Sequence, residues 1–156
     1  MSGADTVQLI LFTLGNRTFA FGILSVERVL AFVPPVSLPG APAFVEGVLR
    51  DQDRVVPVLD LRKRFGLRAP TRDDLRLLLV EGAPPLALIV DTVPRVVQVP
   101  AAEVRAGAGA PGVPAEAVVG AVTRPGGEIL VLSPSKLLSP AEHRQLELVL
   151  LETAHE

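Results

Sequence analysis

The sequence predicts a mostly β protein, built as one or two small barrels and finished by a C-terminal helix. Short aliphatic runs alternate with tight turns rich in Gly and Pro, the pattern of hairpin-connected strands. No alternation of strands with long amphipathic helices appears, which argues against a parallel α/β sheet. Near the end the pattern changes. Ser139-Pro140-Ala141-Glu142 places an N-cap Ser, a Pro in the first helical position and a Glu three residues after the cap.

Taken in order, residues 7–14 and 18–23 are apolar runs around Gly15-Asn16, two residues that tolerate positive φ, and read as a hairpin. Ile23, Val26, Val29 and Leu30 then fall at roughly helical spacing, which fits either a turn or two of helix or a strand with a bulge. Residues 34–42 are a Pro-rich loop. Residues 42–46 fit one helical turn with Pro at its start, ended by Gly47. Residues 48–49 and 55–61 read as strands around the polar turn Arg50-Asp51-Gln52-Asp53-Arg54. Pro57 inside the second run predicts an edge strand or a bulge.

Residues 62–65 form a short turn closed by Gly66. Residues 75–81 and 86–91 make a second hairpin through Gly82-Ala83-Pro84-Pro85, and residues 93–99 continue as strand. Residues 106–114 are small residues, Gly and Pro, expected to be a flexible loop. Residues 117–123 and 128–132 flank Pro125-Gly126-Gly127 as a third hairpin. The capping box opens a helix from Pro140 to about Ala154, with Leu146, Val149, Leu150 and Thr153 on one face. No exact internal repeat is visible, although both halves pair apolar runs and then pass into a Pro-rich link.

Composition narrows the function. The 156 residues are 49% hydrophobic and 21% charged, with a net charge of −2, no Trp or Tyr and only six Phe. A nearly balanced chain with few stacking residues is a poor nucleic-acid binder. Without Cys there can be no disulfide and no thiolate metal site. The start Met1-Ser2-Gly3-Ala4-Asp5 has no basic region, so no signal peptide is expected. The longest uncharged stretch is broken by Pro34, Pro35, Pro39 and Pro42, so no spanning helix is expected either. These features predict a soluble cytoplasmic protein with no membrane insertion.

The search for chemistry finds no catalytic set. Asp91-Thr92-Val93 at a strand end is similar to the Asp-Thr-Gly of aspartic proteases, but Val93 replaces the Gly and Pro94 follows. The plainer reading is an Asp whose carboxylate caps a turn. His143 and His155 lack the i, i+4 spacing of a metal pair. The glycines at 107, 109 and 112 are followed by neither Lys-Ser/Thr nor a helix, so they cradle no phosphate. Arg62, Lys63, Arg64, Arg68, Arg72 and Arg76 are offset by Asp73 and Asp74, and read as a solvated face or a surface for an acidic partner. A binding or scaffolding domain is the class that remains, with a hydrolase using Asp91 or Asp60 as the remote alternative.

Six segments in order resemble the CheW family. They are Leu11-Phe12-Thr13-Leu14-Gly15 with residues 18–23, residues 26–30, the segment Pro42-Ala43-Phe44-Val45-Glu46-Gly47, and Val55-Val56-Pro57-Val58-Leu59-Asp60. The others are Val90-Asp91-Thr92-Val93, and residues 129–132 with Lys136-Leu137-Leu138. The resemblance implies two packed SH3-like five-stranded β-barrels, intertwined over residues 7–138, and the tail over 139–156 is the C-terminal helix opened by the capping box. It implies a non-enzymatic adaptor with no cofactor and no metal. Its partners would be the regulatory domain of a CheA-type histidine kinase and the cytoplasmic tip of methyl-accepting chemoreceptors, whose hairpin lies against the groove between the barrels. The residues it places toward partners are Val26, Glu27, Arg28, Phe44, Arg50, Gln52, Asp53, Arg54 and Val56. The chain departs from the family where Asn-Leu-Arg-Gly is usual. Gln52 stands in place of the Arg, Asp53 in place of the turn Gly, and Arg28 in place of an acidic residue. A diverged paralogue that binds only one of the two partners, in a pathway for motility or development, is the alternative.

Overall fold

The computed structural model describes residues 5–67, 74–107 and 109–154. Arg68, Arg72 and His155 lie outside them, as does the side chain of Thr153. Ten strands form two five-stranded sheets. The first hairpin is β1 (Thr6–Leu14) with β2 (Arg17–Gly22), turned at Gly15, which takes φ 63°. A single 3₁₀ turn, Ile23–Ser25, then carries the chain to β3 (Val26–Ala31). The helical spacing of Ile23, Val26, Val29 and Leu30 therefore resolves into both expected pieces, since the register of β3 slips between Val26 and Arg28.

Strands β4 (Gly47–Asp51), β5 (Arg54–Asp60), β6 (Arg76–Val80) and β7 (Leu86–Val90) complete a sheet with the order β3-β6-β7-β5-β4. Strands β8 (Val96–Pro100), β9 (Val118–Arg124) and β10 (Gly127–Leu132) return to the first hairpin in the order β8-β1-β2-β10-β9. The halves of the chain are thus not the two sheets. The first and last parts build one sheet around the middle part, which builds the other.

Each sheet curls until its edges meet. Val36, beyond β3, exchanges backbone hydrogen bonds of 2.9 and 2.8 Å with Val48 on β4. Arg105, beyond β8, does the same with Ala121 on β9 at 2.9 and 2.7 Å. A glycine precedes the bridge in both cases. A Cβ on Gly47 would stand 2.4 Å from the carbonyl oxygen of Val36, and one on Gly120 would stand 3.0 Å from that of Arg105. Closure removes the exposed edges that an open sheet would present.

The two barrels share one plan, circularly permuted. In each, the strand sequence runs edge, hairpin, hairpin, with one parallel contact: β5 with β7 in the middle barrel, β10 with β2 in the other. The registers superpose Gly47 on Gly120, Val58 on Val131, Ala87 on Ala20 and Leu79 on Leu11.

This plan explains the aliphatic composition. Each barrel has its own interior: Leu9, Leu11, Ala20, Val122, Ile129 and Val131 in one, Val56, Val58, Leu77, Leu79, Ala87 and Ile89 in the other. A third core lies between the barrels and holds Phe12, Phe19, Phe21, Leu59, Leu78, Leu88 and Leu130. Alternate residues of β1, β6, β7 and β10 therefore face a barrel interior and the shared layer, so these strands are apolar on both faces.

Three expectations are corrected. Residues 42–46 form a bend, with Val45 N–H on the Pro42 carbonyl at 3.0 Å, and Gly47 opens β4 instead of ending a helix. Pro57 lies in β5, which is flanked on both sides. It is tolerated because both backbone groups of Val48, its partner across β4, go to Val36, and because pairing with β7 begins only at Val58. Residues 93–95 are irregular, and the strand starts at Val96.

The C-terminal helix runs Pro140–Ala154 as expected. Ser139 Oγ accepts the Glu142 amide at 3.1 Å, and Glu142 accepts the Ser139 amide at 2.8 Å. Leu146 is fully buried in the shared core, with Leu150 partly buried beside it. No helix among the described residues is long and apolar enough to cross a membrane.

Candidate functional site

Residues expected to meet partners gather where the closing strand β3 passes the β4–β5 turn. Arg54 donates to Glu27 at 2.9 Å and to Asp51 at 2.8 Å, and Arg28 donates to the other oxygen of Asp51. The four side chains form an alternating clasp across the seam of the barrel. Arg28 first, and Arg54 second, hold the Asp51 carboxyl below its ordinary pKa. Glu27, ahead of Asp51, holds Arg54 more firmly protonated. The cation at position 28 is thus answered by Asp51 of this chain. Arg50, Gln52 and Asp53 stand exposed on the same turn, where Gln52 takes a left-handed φ of 56°.

The remaining expected residues sit elsewhere. Val26 is partly buried against the shared core. Phe44 is partly buried too, with the Arg64 guanidinium 5.9 Å from its ring centre. Val56 is fully buried inside the middle barrel and offers no surface to a partner. Its strand is apolar on both faces, so alternation in the sequence could not tell inside from outside.

The basic run is largely taken up within the chain. Lys63 pairs with Glu46 at 3.0 Å, and Arg64 pairs with Glu142 through two bonds of 2.7 and 2.5 Å while donating to the Leu137 carbonyl. Arg62 bonds Asp60 at 3.0 Å and lies 3.7 Å from Asp91.

The same contacts decide what the two candidate carboxylates do. Asp60 accepts the Arg62 amide and caps the short helix α1 (Leu61–Arg64). Asp91 is only 1% exposed and accepts the Gly15 amide at 2.6 Å, so it ties the end of β7 to the turn of the opposite barrel's hairpin. Thr13 and Thr92 add a hydroxyl contact of 2.7 Å beside it. Asp91 is the turn-capping residue of the plainer reading. With a guanidinium between them, the two carboxylates share no proton in the manner of a protease dyad. Among the described residues no group of three His, Asp or Glu could hold a metal.

Sequence reasoning missed an open trough of about 840 Å³ beside the crossing from β2 to β3. Ile23, Leu24, Val104 and Val119 form its apolar part, and Gln8, Gln98, Ser25 and Ser133 supply polar groups. Among the described residues no charged one lines it, although 21% of the chain is charged. Leu24 is 87% exposed and Val119 62%. The signal available in the sequence was the pair Ile23-Leu24 in a turn, outside any strand that could bury both.

The family model described as "CheW-like domain" matches residues 8–142. "Chemotaxis protein CheW" of Treponema pallidum (strain Nichols) is 30% identical over 91% of this chain and 88% of its own length. The Rhizobium meliloti (strain 1021) protein of the same name is 31% identical over 55% of this chain and 57% of its own. The crystal structure of the scaffolding protein TtCheW from Thermoanaerobacter tengcongensis superposes with a TM-score of 0.79 at 24% identity, covering 87% of this chain and 90% of that one.

Proposed function

This chain belongs to the CheW-like domain family, and from that premise we propose that it is a non-enzymatic cytoplasmic adaptor joining a CheA-type histidine kinase to chemoreceptors. The family match over residues 8–142 is the observation that carries this reading. The surfaces support it. The uncharged trough beside the β2–β3 crossing suits the apolar anchors of a receptor helical hairpin, with amide and hydroxyl groups along its length to fix register. The clasp on the middle barrel suits the kinase regulatory domain, because a rigid charged surface sets orientation and excludes wrong partners. The commitment of Asp60 and Asp91 to Arg62 and the Gly15 amide supports a role without catalysis.

The two faces predict separable variants. Leu24→Glu places a charge in the trough and weakens receptor-tip binding at least tenfold, while leaving the kinase regulatory domain unaffected. Asp51→Arg opens the clasp and has the reverse effect. Titration calorimetry of both variants against both partners checks this assignment, and equal losses for both partners from either variant contradict it.

A further inference from the structure

We propose that the barrel built from the two ends of the chain carries a second docking site, a cationic cleft that receives a carboxylate side chain from an acidic segment of a partner protein. The permuted repeat supplies the comparison. The two registers place Arg95 where the middle barrel has Arg28, and Arg124 where it has Asp51. In the middle barrel the Asp51 carboxylate lies between Arg28 and Arg54 and closes the seam. At the same place in the other barrel both equivalent side chains are arginines, and they line a cleft of about 670 Å³.

The charges around this cleft are unbalanced. Arg17 joins Arg95 and Arg124 in its lining, against one carboxylate among the described residues, the exposed Glu128. Arg124 is already held by Glu103 at 2.9 Å. Arg17 rests over the Phe19 ring at 5.7 Å, and among the described residues neither it nor Arg95 has an ion pair. The backbone beneath is fixed, since the Leu11 amide donates to the Arg95 carbonyl at 2.9 Å. Two available guanidiniums on a rigid wall, at the position where the sister barrel seats its own carboxylate, match a carboxylate supplied from outside. This goes beyond the kinase and receptor reading: the cleft is on a different barrel from the clasp, and testing it needs neither partner.

The test uses the full chain labelled with nitrogen-15 and two synthetic probes at low salt: the peptide Gly-Asp-Glu-Asp-Glu-Gly and its amide analogue Gly-Asn-Gln-Asn-Gln-Gly. The acidic peptide is expected to shift the amide signals of Arg17, Arg95 and Gly126, and the amide analogue to leave them in place. Arg95→Gln should weaken the response roughly tenfold, and Arg95→Lys should retain most of it. Arg95→Asp rebuilds a clasp with Arg124 and should abolish the response while the rest of the spectrum is preserved. Shifts spread evenly over exposed arginines such as Arg50, or a response indifferent to Arg95→Asp, would overturn the proposal. So would inorganic phosphate producing the same shifts at lower concentration than the peptide, which would make the cleft an oxyanion site.

Discussion

Asp91 ties the end of β7 to the first turn of the opposite barrel, and its contacts set what its loss should do. Its carboxylate is buried, takes the Gly15 amide and faces Arg62. Asp91→Ala leaves that amide and guanidinium short of a partner and should cost about 2–3 kcal/mol. Arg62→Met leaves two buried carboxylates facing one another and should cost more, about 3–5 kcal/mol. Denaturant unfolding of the two variants gives both numbers, and Asp91→Ala should still bind its partners. Glu142 makes a pH-dependent contribution. Burial alone would raise its pKa, but the bonds from Arg64 and Ser139 outweigh it and bring it below the ordinary carboxylate value. A lowered folded-state pKa stabilises above the unfolded value and is lost as pH falls through the folded one. Glu142→Gln should therefore cost about 1–2 kcal/mol at neutral pH, and the difference from the native chain should shrink below about pH 4.

The strands and turns divide into what the sequence announces and what it conceals. The hairpin at Gly15-Asn16 and the helix from Pro140 rest on local chemistry, positive φ in one case and a reciprocal cap in the other, and both were readable. Pro57 was misread because its tolerance depends on Val36, a residue 21 positions away in the chain. Gly47 was read as a helix stop, whereas its actual role is to let the Val36 carbonyl approach across the seam. That role predicts a sharp penalty. Gly47 has φ +154° and no room for a Cβ, so Gly47→Ala should cost about 2–3 kcal/mol. Gly120→Ala, whose Cβ would first meet the Val104 side chain at 2.7 Å, should cost about 1–2 kcal/mol. Thermal unfolding ranks the two, and equal stability of both variants with the native chain contradicts the seam as described.

Across the molecule, the composition of short strands pointed to small barrels, and the ordered motifs pointed to two. Their pairing was hidden by permutation. The first hairpin joins strands more than a hundred residues away in sequence, as Leu130 does opposite Phe19, so comparing one half of the chain with the other could not reveal the repeat. Of the expected partner residues, Glu27, Arg28 and Arg54 meet in one clasp, and Arg50, Gln52 and Asp53 crown the same turn. Val56 fell away because a strand buried on both faces carries no alternation to mark its outer side. The trough went unnoticed because its walls come from both ends of the chain. The surface proposed for the kinase lies on one barrel and the trough proposed for the receptor beside the other, so binding one partner should leave the other site open. Titration calorimetry of the kinase regulatory domain into the free chain, and into the chain saturated with a receptor-tip hairpin, measures this. Binding is expected in both titrations, with affinities within a few-fold of each other; competition between the partners, or no heat from the kinase domain in either titration, would contradict two independent sites.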